Sequence, residues 1–331
     1  MSDSSVWPIG LGFPQACLTC KFNFVNLRLC EARFQAGAGK TKSDFLPMRS
    51  ESAMTTKSPE RSLKPQAGPH FIDTFLQSPF AGLAPWIAMS LLSGPGRFEE
   101  AVSTALGLSI LFIYLRLRRG STLKPLEVFE VVYFGSLAVI GLLASGDLIR
   151  WLEKWSGEMS SLALATFTFG SLLVGNPFTL PYAKETTPRE YWDSPVFLRI
   201  NRVITLVWAL AFTVAAAAGL YGDAVLDQPD NFWTAWIIPI AAMLFAFSFS
   251  EWYPDVASAE TPRPPGEPWA VAPSLDKLFD FFPPFVTAAG IAMLVTDTDP
   301  TWLAIALIVV GGAASAALRR AGNRRQTGPT A

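Results

Sequence analysis

The sequence predicts an all-α fold, a polytopic bundle of membrane-spanning helices. Half of the 331 residues are hydrophobic and only 16% are charged, whereas about 25% are charged in ordinary soluble domains. The apolar residues cluster into runs that approach the ~20 residues a helix needs to cross a bilayer. The segments between these runs alternate between basic and non-basic. This pattern excludes a disordered chain, a coiled coil and a typical soluble enzyme.

The chain divides into two parts at about residue 70. Residues 1–70 hold all three cysteines, mixed charge and no periodic pattern, as expected for a disordered segment or for an extension upstream of a start at Met54. Residues 71–331 carry the apolar runs and form the predicted transmembrane domain. Cys17, Cys20 and Cys30 have no fourth ligand nearby to close a tetrahedral site. We therefore expect no metal ion and no cofactor.

Eight apolar runs follow one another, and joining neighbours gives four predicted hairpins. The first run is short and contains Pro85, so the first two together are also compatible with a re-entrant hairpin, which leaves six spans. Several of the others are hydrophobic on all sides, as helices immersed in lipid should be. The runs cover residues 80–93, 101–115, 126–145, 159–175, 196–220, 232–250, 278–296 and 301–318.

The basic residues predict the orientation of the chain. With the N-terminus in the cytoplasm, the inner segments after residue 56 carry 17 Lys and Arg and the outer loops carry 3. This bias is the one that multi-pass membrane proteins show. Eight spans and six spans have the same parity, so both place the N-terminus and the C-terminus inside.

The most distinctive segment is the loop after the fourth run. It contains Asn176-Pro-Phe-Thr-Leu-Pro-Tyr-Ala-Lys-Glu185, then Tyr191-Trp-Asp-Ser-Pro195 and Phe197-Leu-Arg-Ile-Asn201. Over about residues 80–255 the chain resembles a family of uncharacterised bacterial integral membrane proteins, which share a PFTLxYA[KR]E loop followed by W-x-x-P-x-F. The start of the next helix is also faintly similar to that of intracellular septation proteins. The first resemblance implies a multi-pass protein of the bacterial plasma (inner) membrane and implies no activity.

Charged residues near the inner ends of two spans form the candidate binding site. Glu127 and Glu130 open the third span three residues apart and so share a face, and Arg199 and Arg202 open the fifth span with the same spacing. At 1.5 Å per residue, Glu130 and Arg202 lie about one turn into the membrane, where opposite charges can pair. The candidate cluster, which would line a cytoplasm-facing cavity, comprises Glu127, Glu130, Lys184, Glu185, Arg199, Asn201, Arg202 and Glu251. The alternative is that the arginines reach the headgroups and the glutamates face water.

The sequence offers little for catalysis. The chain has one histidine, His70, which argues against Ser-His-Asp and Cys-His chemistry. It has no phosphate-binding loop or dinucleotide motif, so a non-enzyme is favoured, with a carboxylate-and-metal lipid enzyme as the minor alternative. No ionisable residue lies near the middle of a predicted span, which argues against a proton-coupled carrier.

Two function hypotheses follow from these patterns. A carrier or channel for a small solute would use the candidate cluster as its binding site. A structural or assembly protein would instead dock partners through the cytoplasmic loop 176–195. The expected partners are membrane lipids and either another membrane protein or further copies of this chain. A net charge of −1 argues against nucleic acid.

Overall fold

The computed structural model describes residues 79–229, 231–260 and 272–326. These residues are all-helical, with 82% helix and no strand among them, so the predicted fold class is confirmed. The N-terminal segment 1–70, with its cysteines and Met54, lies outside the described residues.

The described residues form nine α-helices, and each of the eight predicted runs falls on one of them. The helices are α1 (Pro79–Leu92), α2 (Phe98–Arg118), α3 (Pro125–Leu143), α4 (Gly146–Leu173), α5 (Leu180–Thr186), α6 (Pro195–Ala224), α7 (Ile238–Ala259), α8 (Phe282–Val295) and α9 (Thr301–Gln326). Short 3₁₀ turns at Arg189–Tyr191 and Leu275–Phe279 join neighbouring helices, and a π-helical turn at Phe232–Ile237 leads into α7. The ninth helix, α5, lies within the distinctive loop.

Local sequence signals explain where the central helices start and stop. Proline is the first residue of both α3 and α6, a position where its missing N–H removes no helical hydrogen bond. The Ser194 hydroxyl accepts a hydrogen bond from the Phe197 N–H and caps α6. Gly120 and Gly175 follow α2 and α4 with φ of +74° and +73°, the left-handed conformation that commonly ends a helix.

Six helical segments are long and apolar enough to cross a membrane, which supports the polytopic prediction. They are Phe98–Arg118, Pro125–Leu143, Pro195–Ala224, Phe232–Ala259, Leu275–Val295 and Thr301–Arg320. The other two predicted spans correspond to α1 and α4. Helix α1 has only 14 residues, with Pro85 inside it. Helix α4 has 28 residues, about 42 Å of helix. It starts at Gly146 rather than at residue 159, so the charged segment before the fourth predicted run is also helical.

Helix α6 is central to the bundle, packing closely against both α4 and α7. Helices α1, α2 and α3 pack in sequence. Helices α3 and α4 meet through side chains: the Phe129 and Phe167 ring centroids are 4.7 Å apart, and the Tyr133 and Ser160 hydroxyl oxygens are 3.2 Å apart. Trp86, Phe134, Ile204 and Phe212 are among the buried residues of the shared core. The helices therefore pair as α1–α2, α2–α3, α4–α6, α6–α7 and α8–α9.

Helices α8 and α9 form a tight hairpin whose backbones touch. A Cβ at Gly290 would lie 2.7 Å from the Ala304 carbonyl oxygen, and a Cβ at Gly311 would lie 2.7 Å from the Pro283 carbonyl oxygen. Small residues allow this close approach, as is common between membrane helices.

Polar contacts between distant segments show which loops lie at the same end of the bundle. At one end, segments 119–124 and 174–194 are joined by an ion pair between Lys124 and Glu185. At the other end, the Gly96 N–H donates to Glu153 at 2.9 Å, and Lys154 pairs with Asp227 at 3.1 Å. We call the first the basic end and the second the opposite end. This arrangement requires α1, α2, α3, α4 and α6 each to run from one end to the other.

Candidate functional site

Charged side chains from α2, α3 and α5 meet inside the basic end. Arg116, in the last turn of α2, pairs with Glu127 in the first turn of α3, with Nε 2.9 Å from Oε1. Lys124, directly before α3, pairs with Glu185 of α5 at 2.8 Å between Nζ and Oε2. Glu130 lies one turn further along α3. We call Arg116, Lys124, Glu127, Glu130 and Glu185 the ion-pair cluster.

Aromatic rings from α1 and α5 enclose the cluster. The Lys124 ammonium lies 3.8 Å from the centroid of the Tyr182 ring, and the Arg116 guanidinium lies 5.6 Å from the same centroid. The Trp86 Nε1–H donates to Glu130 Oε1 at 3.2 Å, and the Trp86 ring stacks on Tyr133 at 4.9 Å between centroids. A cation held over a ring away from water gains about 2 kcal/mol. The rings thus replace part of the hydration that the cations lose.

The distinctive loop is what brings Tyr182 and Glu185 to the cluster. Its first part is tied to the helices on either side, because the Phe178 N–H donates to Ser171 Oγ at 3.1 Å and the Thr179 hydroxyl donates to the Asn201 carbonyl at 3.1 Å. Tyr182 then packs directly on α1, where a Cβ at Gly82 would lie 2.8 Å from its hydroxyl oxygen. The absence of a side chain at Gly82 is what leaves room for the ring.

The cluster is closed to water. Arg116, Lys124, Glu127 and Glu130 are each at most 3% exposed, while the Glu185 side chain, at 24%, forms the rim. Burial lowers the pKa of Lys124 from 10.5 to about 8, against the opposing effect of its hydrogen bond to Glu185. Buried charges are costly unless they are paired: Arg116 pairs with Glu127 and Lys124 with Glu185, whereas Glu130 accepts the Trp86 hydrogen bond instead.

Tyr182, beside the cluster, carries a buried hydroxyl without a hydrogen-bond partner among the described residues. Burial, followed by the nearby Glu127 and Glu130 carboxylates, raises the pKa of Tyr182 well above 10. The phenol therefore stays neutral and contributes its ring face to the two cations.

The structure brings together three of the predicted site residues, Glu127, Glu130 and Glu185. Asn201 is also buried nearby on α6, but its side chain is used within the protein. Its Nδ2 donates to the Phe197 carbonyl at 2.9 Å, and its Oδ1 lies 3.2 Å from the Thr179 hydroxyl. Asn201 therefore ties the distinctive loop to α6.

The other predicted residues lie elsewhere, and the pairing that matching depth allowed between Glu130 and Arg202 is not made among the described residues. Both arginines are turned away from the core of the bundle on α6, because Phe197, Ile200 and Ile204 occupy its inward face. Arg116, rather than Arg199 or Arg202, is the arginine that pairs with a glutamate of α3. Two more predicted residues are outside the cluster: Lys184 lies over the Trp192 ring at 5.1 Å, and Glu251 is half-buried on α7.

Sequence reasoning missed Trp86, Arg116, Lys124 and Tyr182 as members of the site. In the sequence, Arg116 and Lys124 served only to predict the orientation of the chain, because a basic residue beside a span normally reaches the membrane surface. Two signals were nonetheless present. Lys124 precedes Pro125 and is followed three residues later by a glutamate, a pattern typical of a helix start. The distinctive segment 176–185 also contains both Tyr182 and Glu185, the two residues that contact Lys124.

A second charged site lies towards the opposite end. Glu158 of α4 is within hydrogen-bonding range of Asp223 in the last turn of α6, and Asp223 is only 3% exposed. Glu158 lies about 22 Å along the helix from Leu173, where α4 ends. Glu158 directly precedes the fourth predicted run, 159–175, so the expectation that no ionisable residue lies near the middle of a predicted span stays a prediction.

Comparison of the chain with protein-family models, curated proteins and solved structures found no match. Among the described residues, no group of three or more His, Cys, Asp or Glu could hold a metal ion. Function must therefore be argued from the geometry of the two charged sites.

Proposed function

We propose that this protein is a multi-pass carrier or channel for a small solute in a bacterial inner membrane, with the ion-pair cluster as its cytoplasmic gate. The excess of basic residues in the segments at the basic end supports a cytoplasmic position for that end. The observation that carries the proposal is the dry, charge-paired closure of the bundle between α2, α3 and α5.

Buried ion pairs are an expensive way to hold helices together. Packed apolar residues of similar volume stabilise a protein as well or better, and ionisable residues inside membrane proteins are rare and usually functional. An ion-pair cluster differs from apolar packing in having two favourable arrangements: paired and dry, or separated and hydrated. This property suits a gate.

The rim of the cluster offers the means of opening. Glu185 is its most exposed member, and it lies on α5, a helix of only seven residues. Outward displacement of α5 would remove both the carboxylate and the Tyr182 ring from Lys124, leaving a hydrated cation at the mouth of the bundle. The pairing of Arg116 with Glu127 would keep α2 and α3 together while α5 moves outward.

Uptake by proteoliposomes tests the proposal even while the solute is unidentified. Vesicles containing the full chain are incubated with a metabolite extract, washed, and their contents compared by mass spectrometry with those of protein-free vesicles. We expect one or a few small solutes to be enriched, with a changed rate in Lys124→Met and an unchanged rate in Arg202→Gln, an exposed control. Equal contents in all vesicles would overturn the carrier proposal.

The alternative, an assembly protein, is favoured by one specific observation. The second part of the distinctive loop is exposed at Arg189, Glu190 and Asp193, and the Arg189 guanidinium lies 5.4 Å from the centroid of the Trp192 ring. Such a charged, aromatic surface suits a protein partner. A stoichiometric membrane-protein partner or homo-oligomer that is lost in Arg189→Ala/Trp192→Ala, together with no solute uptake, would support this alternative.

A further inference from the structure

The contact between Glu158 and Asp223 places two carboxyl groups side by side without a basic side chain between them among the described residues. The two carboxyl groups are within hydrogen-bonding range, and Asp223 Oδ2 is buried with no hydrogen-bond partner among the described residues. Two adjacent carboxylates repel each other unless a proton or a cation lies between them. The pair therefore marks a place where a positive species binds.

Two glycines on one face of α6 let Glu158 and Thr234 pack against that helix close to Asp223. A Cβ at Gly219 would overlap Glu158 Oε1, and a Cβ at Gly222 would overlap Thr234 Oγ1. Residues three apart on a helix are neighbours, about 5–6 Å between Cβ positions, so the carboxylate and the hydroxyl lie side by side against α6. Thr234 is 7% exposed, and its hydroxyl oxygen has no partner among the described residues.

The surroundings favour a cation at this position. Asp223 lies in the last turn of α6, where the helix dipole is negative and disfavours a carboxylate. Lys154 lies one turn before Glu158 on α4, but its Nζ donates to Asp227 at 3.1 Å. Its charge is thereby partly neutralised outside the site.

We propose that Glu158, Asp223 and Thr234 bind a hard, oxygen-liganded cation of the Na⁺ or Ca²⁺ class. Carboxylate, hydroxyl and carbonyl oxygens are the ligands that such cations prefer. The Gln228 carbonyl oxygen, 3.5 Å from the Cβ position of Gly222, accepts the Asn231 N–H at 3.0 Å and has a second lone pair for the cation. Glu158 is partly exposed, which leaves room for water to complete the coordination. This inference goes beyond the transport proposal, since an ion can bind here whether or not the chain carries a solute.

Equilibrium dialysis of the full chain in mild detergent tests the site, with ²²Na⁺ alone in one arm and ⁴⁵Ca²⁺ alone in the other. We expect one ion per chain in one of the two arms, with affinity at least about tenfold weaker in Asp223→Asn, which loses a direct ligand. Asp147→Asn is the matched control, because its side chain is 88% exposed and pairs with Arg150 instead; its binding should equal that of the unaltered chain.

Thr234→Val provides a second variant that keeps the side-chain shape and adds no charge. This variant should bind the cation more weakly than the unaltered chain and unfold at a similar temperature. It therefore tests the cation site even if Asp223→Asn does not fold. Stoichiometric binding of neither ion would overturn the proposal and leave a carboxyl pair that shares a proton. Undiminished binding in Asp223→Asn or in Thr234→Val would also overturn it.

Discussion

The Arg116 guanidinium lies 2.9 Å from the Glu127 carboxylate, and each side chain is only 3% exposed. This pair joins the last turn of α2 directly to the first turn of α3. Glu127 also accepts a hydrogen bond from the Lys124 backbone N–H at 3.2 Å. One carboxylate thus balances a buried cation and caps a helix.

Removal of this carboxylate charge should be strongly destabilising. In Glu127→Gln the Arg116 cation stays buried without its counter-charge, and we expect the free energy of unfolding to fall by about 3–5 kcal/mol. Denaturant titration in detergent measures this change. Arg202→Gln removes an exposed charge and should change the free energy by less than about 0.5 kcal/mol. Equal losses in the two variants would contradict a dry ion pair.

Lys124 should make stability depend on pH in the alkaline range. Its pKa is about 8 in the folded protein, compared with 10.5 for an ordinary lysine, so between these values the unfolded chain binds more protons. The free energy of unfolding should therefore rise with pH from about 8 towards 10.5, by at most about 3 kcal/mol. Thermal unfolding across this range measures the slope. Lys124→Met should abolish the slope and Lys277→Met, at an exposed lysine, should keep it; a slope unaffected by Lys124→Met would refute the assignment.

The Tyr182 ring, rather than its hydroxyl, should stabilise the cluster. Tyr182→Phe removes a buried oxygen that has no partner among the described residues, so stability should stay level or rise by up to about 1 kcal/mol. Tyr182→Leu removes the ring below Lys124 and should lower stability by at least about 2 kcal/mol. Unfolding temperatures of the two variants measure the difference. A loss in Tyr182→Phe as large as that in Tyr182→Leu would mean that the hydroxyl binds something.

Adjacent glycines in α9 should respond differently to the same change. In Gly311→Ala the new methyl group would lie 2.7 Å from the Pro283 carbonyl oxygen and 2.7 Å from the Thr287 nitrogen. Both are backbone atoms, so α8 and α9 must separate, and we expect a loss of about 1–3 kcal/mol. Gly312→Ala has nothing within 4 Å and should be neutral or slightly stabilising. Similar stabilities for the two variants would show that the hairpin is loosely packed.

Much of the fold follows from local patterns in the sequence. The eight apolar runs mark the helices because hydrophobic length is a strong constraint in a bilayer, and Pro125 and Pro195 mark two helix starts. The start of α4 does not follow in this way, because Glu158 and the charges before it interrupt the apolar run without ending the helix. Tertiary packing on α6, not hydropathy, holds that half of α4.

The membership of the candidate site depends on which face of each helix turns inward. Arg116 and Arg202 are alike in sequence, each a basic residue near the end of a span, yet one is buried and the other exposed. The difference comes from neighbours distant in the chain, such as Tyr182 beside Arg116. The sequence around Tyr182 indicated which loop is important. Only the packing of α5 beside α1 and α3 identifies Arg116 and Lys124 as the cations that this loop contacts.

Reactivity of a cysteine at position 205, where the Thr205 hydroxyl contacts the Thr179 hydroxyl of the distinctive loop at 2.9 Å, tests the gate most directly. Thr205 is fully buried, ten residues into α6 and so about 15 Å along it. In a chain with Cys17, Cys20 and Cys30 changed to serine, Thr205→Cys should react slowly with a membrane-impermeant thiol reagent applied to the basic end, while Arg202→Cys reacts fast. Adding Lys124→Met should speed the reaction at position 205 by about tenfold or more, the shift that 1.4 kcal/mol in a gate equilibrium gives, and leave position 202 unchanged. An unchanged rate at position 205 in folded protein would show that the cluster is a fixed structural element and would contradict the gate.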